Sequence, residues 1–196
     1  MVAALVLLAL VTGAAFWLVG CYNRLVSLRN QFKNSFAQID VQLKRRYDLI
    51  PNLVETAKAY LQHEHDTLAA VIAARGHAVS ANARMADNPA NPAAVRQLDA
   101  AETVLTSSLG KLFAVVEAYP ELKANQTMAQ LTEELTSTEN RIAFARQAYN
   151  DGVMEYNVSL EQFPGSIVTN LFAFKSGELL QSTDTPDERK AIKVNF

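Results

Sequence analysis

Residues 25–50 read LVSLRNQFKNSFAQIDVQLKRRYDLI. Leu25, Phe32 and Ile39 recur at intervals of seven, and Phe36, Leu43 and Ile50 form a second line. Interleaved, the lines alternate steps of four and three, the spacing that keeps apolar side chains on one stripe of an α-helix. No Gly or Pro interrupts the stretch. It predicts a long helix with a coiled-coil-like seam, and the other helices must cover that seam.

Upstream, Val2–Gly20 (VAALVLLALVTGAAFWLVG) carries no charge. As a helix it is about 29 Å long, close to the roughly 30 Å hydrocarbon core of a bilayer. We read residues 1–21 as a transmembrane anchor, with Leu5, Leu8, Val11, Phe16, Trp17 and Leu18 facing lipid and Trp17 and Tyr22 at the interfacial belt. Between Tyr22 and Ile50 stand Arg24, Arg29, Lys33, Lys44, Arg45 and Arg46 against only Asp40 and Asp48. The positive-inside rule then places Met1 outside and the remainder in the cytoplasm, a single pass through a bacterial inner membrane. A rival reading takes Leu18-Val19-Gly20-Cys21 as a lipobox, with lipid on Cys21 and the domain facing the periplasm.

Downstream, Pro51 predicts a kink or short break near Leu49–Pro51, because proline removes one helix hydrogen bond and clashes with the preceding turn. Helix is expected to resume over Asn52–His77, with Leu53, Ala57, Tyr60, Leu61, Leu68, Val71 and Ile72 on one side. Met85–Pro92 (MADNPANP) reads as a loop. A third run, Ala93–Ala118, has Leu98, Leu105, Leu109, Leu112 and Val116 in phase and ends before Tyr119-Pro120. A fourth, Thr127–Glu161, repeats Met128, Leu135, Ile142, Tyr149 and Tyr156 at sevens and stops at Phe163-Pro164-Gly165. Short connections make neighbouring helices antiparallel. The fold class is therefore all-α: one N-terminal transmembrane helix continuing into an antiparallel bundle of three to four helices over residues 22–175. Residues 176–196 read as a loosely ordered tail.

Composition agrees. Of 196 residues, 30 are Ala, with only 7 Gly and 6 Pro, a helix-forming and turn-poor balance. The net charge of −2 gives no electrostatic case for nucleic acid. A single Cys rules out an intrachain disulfide and a multi-thiolate zinc site.

The chemistry-bearing clusters are sparse. His63-Glu64-His65-Asp66 would put its histidines on opposite faces of a helix, so it reads as a solvated surface and no metal or other cofactor is expected. Lys44-Arg45-Arg46 reads as surface ion pairs and topology-setting charge. Arg46, Asp48 and Asn52 flank Pro51, a set we read as a polar clamp at a helix break, drawing partners from Glu139, Asn140, Arg141 and Arg146. No nucleophile elbow, phosphate-binding Gly-rich loop, Cys–His pair or carboxylate cluster points to catalysis, and the reading is not an enzyme. Phe163, Ile167, Leu171, Phe172 and Phe174 either fold back on the core or form a contact for a second subunit or the bilayer.

The stretch Gln42–Val54 (QLKRRYDLIPNLV), followed by Lys58, Tyr60, His63 and Glu64, resembles the LemA family. So do Tyr22-Asn23, Ala74-Arg75, Tyr119-Pro120-Glu121-Leu122, Glu139-Asn140-Arg141-Ile142, Tyr149-Asn150, Tyr156-Asn157, Phe163-Pro164 and Asn170–Lys175. Ala173 stands where that pattern leads one to expect Gly. The resemblance implies one N-terminal span and a helical bundle, in a family with no established catalytic activity, and, as in some members, a part in building or shaping internal membranes. Together these readings give a membrane-anchored helical scaffold whose partners are the lipid bilayer, further copies of itself and other membrane proteins. The alternative is a periplasm-facing binding module.

Overall fold

The computed structural model describes residues 1–181. In chain order the helices are α1 (Val2–Lys58), α2 (His65–Asp87), α3 (Pro92–Glu117), α4 (Pro120–Lys123), α5 (Gln126–Glu161) and α6 (Gly165–Phe172). No strand occurs among the described residues. The chain is all-α, with the long N-terminal helix packed into an up-down-up-down bundle of α1, α2, α3 and α5.

α1 runs unbroken for 57 residues, roughly 85 Å. Its first third is exposed apart from the half-buried Leu18, and its remainder carries the expected stripe: Leu25, Phe32, Phe36, Ile39, Leu43 and Ile50 are all buried. α5 supplies the matching stripe, Met128, Leu135, Ile142, Tyr149 and Tyr156. The two helices lie antiparallel. Phe32 meets Tyr149 and Tyr156 (ring centroids 6.0 and 5.3 Å), while Asn125 at the start of α5 donates to the Tyr60 hydroxyl beyond the end of α1. α2 contributes small side chains, Ala74, Ala78 and Ala81, which let its backbone come close to α1. Helix starts follow local chemistry. Asn91 caps α3 by accepting from the Ala93 N–H, with Pro92 at the first position, and Asn125 caps α5 by accepting from the Met128 N–H.

The chain does not break at Pro51. The helix passes through it and ends at Lys58, and the reversal occupies residues 59–64. His63 and Glu64 therefore sit in this turn, while His65 opens α2. Leu61 is buried there, and i→i+3 bonds such as Tyr60 N–H to Ala57 carbonyl tighten the exit. Ile72, expected on the inward face, points outward.

The expected loose tail begins with residues 176–181, and these lie along α5. Asn157 exchanges two hydrogen bonds with the backbone of Gly177 (2.9 and 2.8 Å), and Asn150 does the same with Leu180 (2.8 and 2.9 Å). One carboxamide satisfies both backbone groups of one extended residue, so two asparagines seven apart hold a strap. The remainder of the expected tail, 182–196, lies outside the described residues.

The strap is delivered by α6. A Cβ on Gly165 would run into the Ser159 carbonyl oxygen, so glycine is needed where α6 turns back on α5. α6 ends at Ala173, whose φ of 52° and ψ of 43° are left-handed. A side chain in that region costs about 1 kcal/mol, and glycine none. Ala173→Gly is accordingly expected to stabilise the protein by about 1 kcal/mol, read as a higher thermal midpoint; an unchanged or lower midpoint would contradict the strain.

Candidate functional site

Two places concentrate unusual side chains: a polar centre inside the bundle, and an apolar cluster where α6 meets the exposed third of α1.

At the centre, Arg46 is only 1% exposed. Its Nη1 donates to Glu102 Oε2 of α3 at 2.7 Å, and its Nη2 donates to Thr106 Oγ1 at 3.0 Å and lies 2.8 Å from Glu139 Oε1 of α5. The Tyr47 hydroxyl donates to the other Glu102 oxygen at 2.6 Å. A charge survives burial only when opposed and hydrogen-bonded, and here the guanidinium is opposed through both Nη atoms while its buried Nε has no hydrogen-bond partner. Burial, reinforced by the Glu102 carboxylate, pushes the Tyr47 hydroxyl far above its ordinary range, so it stays protonated as a donor. Burial also raises Glu139, and the Arg46 charge opposes that rise. The centre ties α1, α3 and α5 in register. These groups are engaged with one another.

The expected clamp is thus corrected in its membership. Arg46 belongs to it, with Glu139 as foreseen, but Asp48 and Asn52 are exposed and stand outside it. Glu102, Tyr47 and Thr106 take their place. Lys44 sits on the surface beside Asp40 (2.6 Å), so the basic triplet divides between surface and interior. The spacing carried a signal for this. Arg46 falls on the seam Ile39–Leu43–Arg46–Ile50, and Glu102 falls on Leu98–Glu102–Leu105–Leu109, each with steps of four and three.

Pro51 has its own solution. A proline leaves the carbonyl four residues earlier without its helical donor. That residue is Tyr47, and Arg75 Nε of α2 donates to the Tyr47 carbonyl at 2.6 Å. The helix continues because a neighbouring helix replaces the missing N–H.

At the other place, Leu5, Leu8, Val11, Phe16 and Trp17 are exposed and Leu18 half-buried. This first part of α1 is long and apolar enough to cross a membrane. Beside its end, Phe163 meets Trp17 (6.1 Å between centroids), and Phe172 and Phe174 meet Tyr22 (4.9 and 5.5 Å). Val168 of α6 is buried, whereas Phe163 (77%), Leu171 (64%), Ile167 and Phe172 remain exposed. α6 therefore packs one side on the bundle, as the fold-back reading expected, and leaves Ile167, Leu171 and Phe172 exposed beside the apolar end of α1. Cys21 lies half-buried within the continuous α1, against the Ser159–Gly165 turn.

Compared with known proteins, residues 35–196 match the LemA family profile. Magnetosome proteins MamQ 2 and MamQ 1 of Paramagnetospirillum magneticum are each 26% identical over 183 residues, covering 84% of this chain and 67% of theirs. Magnetosome protein MamQ of Magnetospirillum gryphiswaldense is 25% identical over the same extent.

Proposed function

The chain belongs to the LemA family, and from that premise we propose that it is a membrane-anchored, non-enzymatic scaffold whose copies associate and organise or shape the bilayer and neighbouring membrane proteins. The observation that carries this reading is the unbroken α1, which joins an exposed apolar segment to the bundle without a hinge. A lateral contact between bundles would then be transmitted to the membrane as tilt or spacing. The internal polar centre supports the same reading, since its groups are spent on holding helices together. The relatives' description as magnetosome proteins is in keeping with a part in a larger assembly. The excess of basic residues just after the span favours a cytoplasmic bundle in a bacterial inner membrane, with the N-terminus outside.

Self-association is favoured by Val41 and Phe144, both exposed, which stand at one height on α1 and α5. That height follows from the antiparallel register in which Phe36 meets Tyr149 and Arg46 meets Glu139. The full chain is expected to resist carbonate extraction from membranes and to run as an oligomer after mild detergent extraction. Phe144→Glu should shift it toward monomer without releasing it from the membrane. A monomer of the parent at micromolar concentration would overturn the scaffold.

A further inference from the structure

Above the apolar cluster, a cavity of about 400 Å³ is bounded by Tyr22, Arg29 and Lys33 of α1, the Asn88 connection between α2 and α3, and Phe174-Lys175 after α6. Among the described residues three cations line it and no carboxylate does. Among the described residues none of Arg29, Lys33 and Lys175 takes part in an ion pair, although other basic side chains such as Lys44, Arg46 and Arg96 do. Arg29 is further constrained. Its guanidinium lies over the Phe174 ring, 5.4 Å from the centroid, and its Nε, like those of Arg46 and Arg146, is buried without a hydrogen-bond partner. A buried donor left unmade is costly, and a stacked guanidinium is pre-oriented to present its planar N–H edge to an oxyanion. Three cations gathered around one cleft repel one another, and an anion between them relieves that repulsion.

Height selects the kind of anion. Arg29 is nine residues past Gly20, about 14 Å along the helix. Helical side chains lean toward the N-terminus, which here is the membrane end. The exposed apolar face of α6 carries the greasy surface up to Tyr22. The headgroup layer adds roughly 5–8 Å beyond the hydrocarbon edge. The Arg29 guanidinium therefore comes down toward the level of lipid phosphates, with Lys33 one turn higher at about 20 Å along the helix and an aromatic wall of the sort that favours the interface.

We propose that this cavity binds the phosphate-bearing headgroup of an anionic phospholipid in the bilayer that α1 enters, a site that rests on the anchoring described above. Arg29 supplies the planar, charge-assisted contact, and Lys33 and Lys175 supply point charges around it.

The test uses the purified full chain in neutral detergent, given equal amounts of phosphatidylglycerol and phosphatidylcholine, with retained lipid counted by native mass spectrometry. Phosphatidylglycerol should be retained about tenfold over phosphatidylcholine, the scale of one charge-assisted contact. Lys33→Gln and Lys175→Gln together should bring the two lipids close to parity while leaving the thermal midpoint unchanged, since neither side chain bonds to another described residue and the Lys175 carbonyl that accepts from the Tyr156 hydroxyl is retained. Arg29→Lys, which keeps the charge and loses the fork, should lower the preference several-fold. Parity in the parent, or a preference that survives the double lysine variant, would overturn the site. So would saturable binding of inorganic phosphate with no lipid retained, because the anion source would then be soluble. Extraction by carbonate would signal failure of the anchoring itself, whereas parity in a carbonate-resistant protein would sink the headgroup site alone.

Discussion

Glu102→Ala is expected to cost about 3–5 kcal/mol of folding stability, because it leaves Arg46 buried and short of its main counter-charge. The same change strips the Tyr47 hydroxyl of its 2.6 Å acceptor. Glu139 cannot substitute, since it is the more exposed partner and already engaged through Nη2. A loss of that size is a large share of a stability of about 5–15 kcal/mol. The readout is the thermal or denaturant midpoint of the detergent-solubilised chain by circular dichroism. Replacing the pair together, Arg46→Met with Glu102→Leu, should cost much less, because neither charge is then stranded. A Glu102→Ala protein within about 1 kcal/mol of the parent would show that water or side-chain movement rescues Arg46. Asp48→Ala, by contrast, removes an exposed carboxylate outside the network and should change stability by less than about 0.5 kcal/mol.

Arg75→Ala should cost about 1–3 kcal/mol by a different route, since it leaves the Tyr47 carbonyl without a donor at the point where Pro51 supplies none. This account makes the cost conditional on the proline. Pro51→Ala restores a backbone N–H at the position four residues beyond Tyr47, so the helix can satisfy that carbonyl itself. In the Pro51→Ala background, Arg75→Ala should therefore lose most of its effect, a coupling of about 1 kcal/mol or more in a double-mutant cycle. Additive effects of the two substitutions would mean that Arg75 contributes through packing instead. The pair also explains why a proline is tolerated mid-helix: the unmet acceptor is met from α2, which the chain's antiparallel return brings alongside.

Both predictions concern residues whose meaning depends on a partner far along the chain. In Lys44-Arg45-Arg46 the three cations look alike as composition. Their position on the helix separates them, because only Arg46 falls on the seam with Leu43 and Ile50. The repeated Tyr149-Asn150 and Tyr156-Asn157 pairs behave similarly. The tyrosines join the apolar stripe against Phe32, and the asparagines one step round the helix clasp the strap at residues 177 and 180. A polar residue beside a core position is ordinarily solvated, so the pair alone does not announce a backbone receptor. The reversal at residues 59–64 was equally hidden, as it contains no Gly or Pro. Pro51, the one conspicuous breaker nearby, was neutralised by Arg75.

Local periodicity by itself settled the helical class, the apolar first segment, the inward stripes of α1, α3 and α5, and the starts of α3 and α5. These features depend on a 3.6-residue repeat and on capping groups within one turn of their targets, so nearby residues suffice. Tertiary structure alone decided which charges went inside, that the helix runs on past Pro51, that residues 176–181 lie along α5, and that α6 turns one side to the bundle and the other outward. Each of those outcomes is a pairing between groups 20 or more residues apart. Its free energy depends on how far the contact between the two partners offsets the cost of desolvating them, and no repeat along a single helix specifies it.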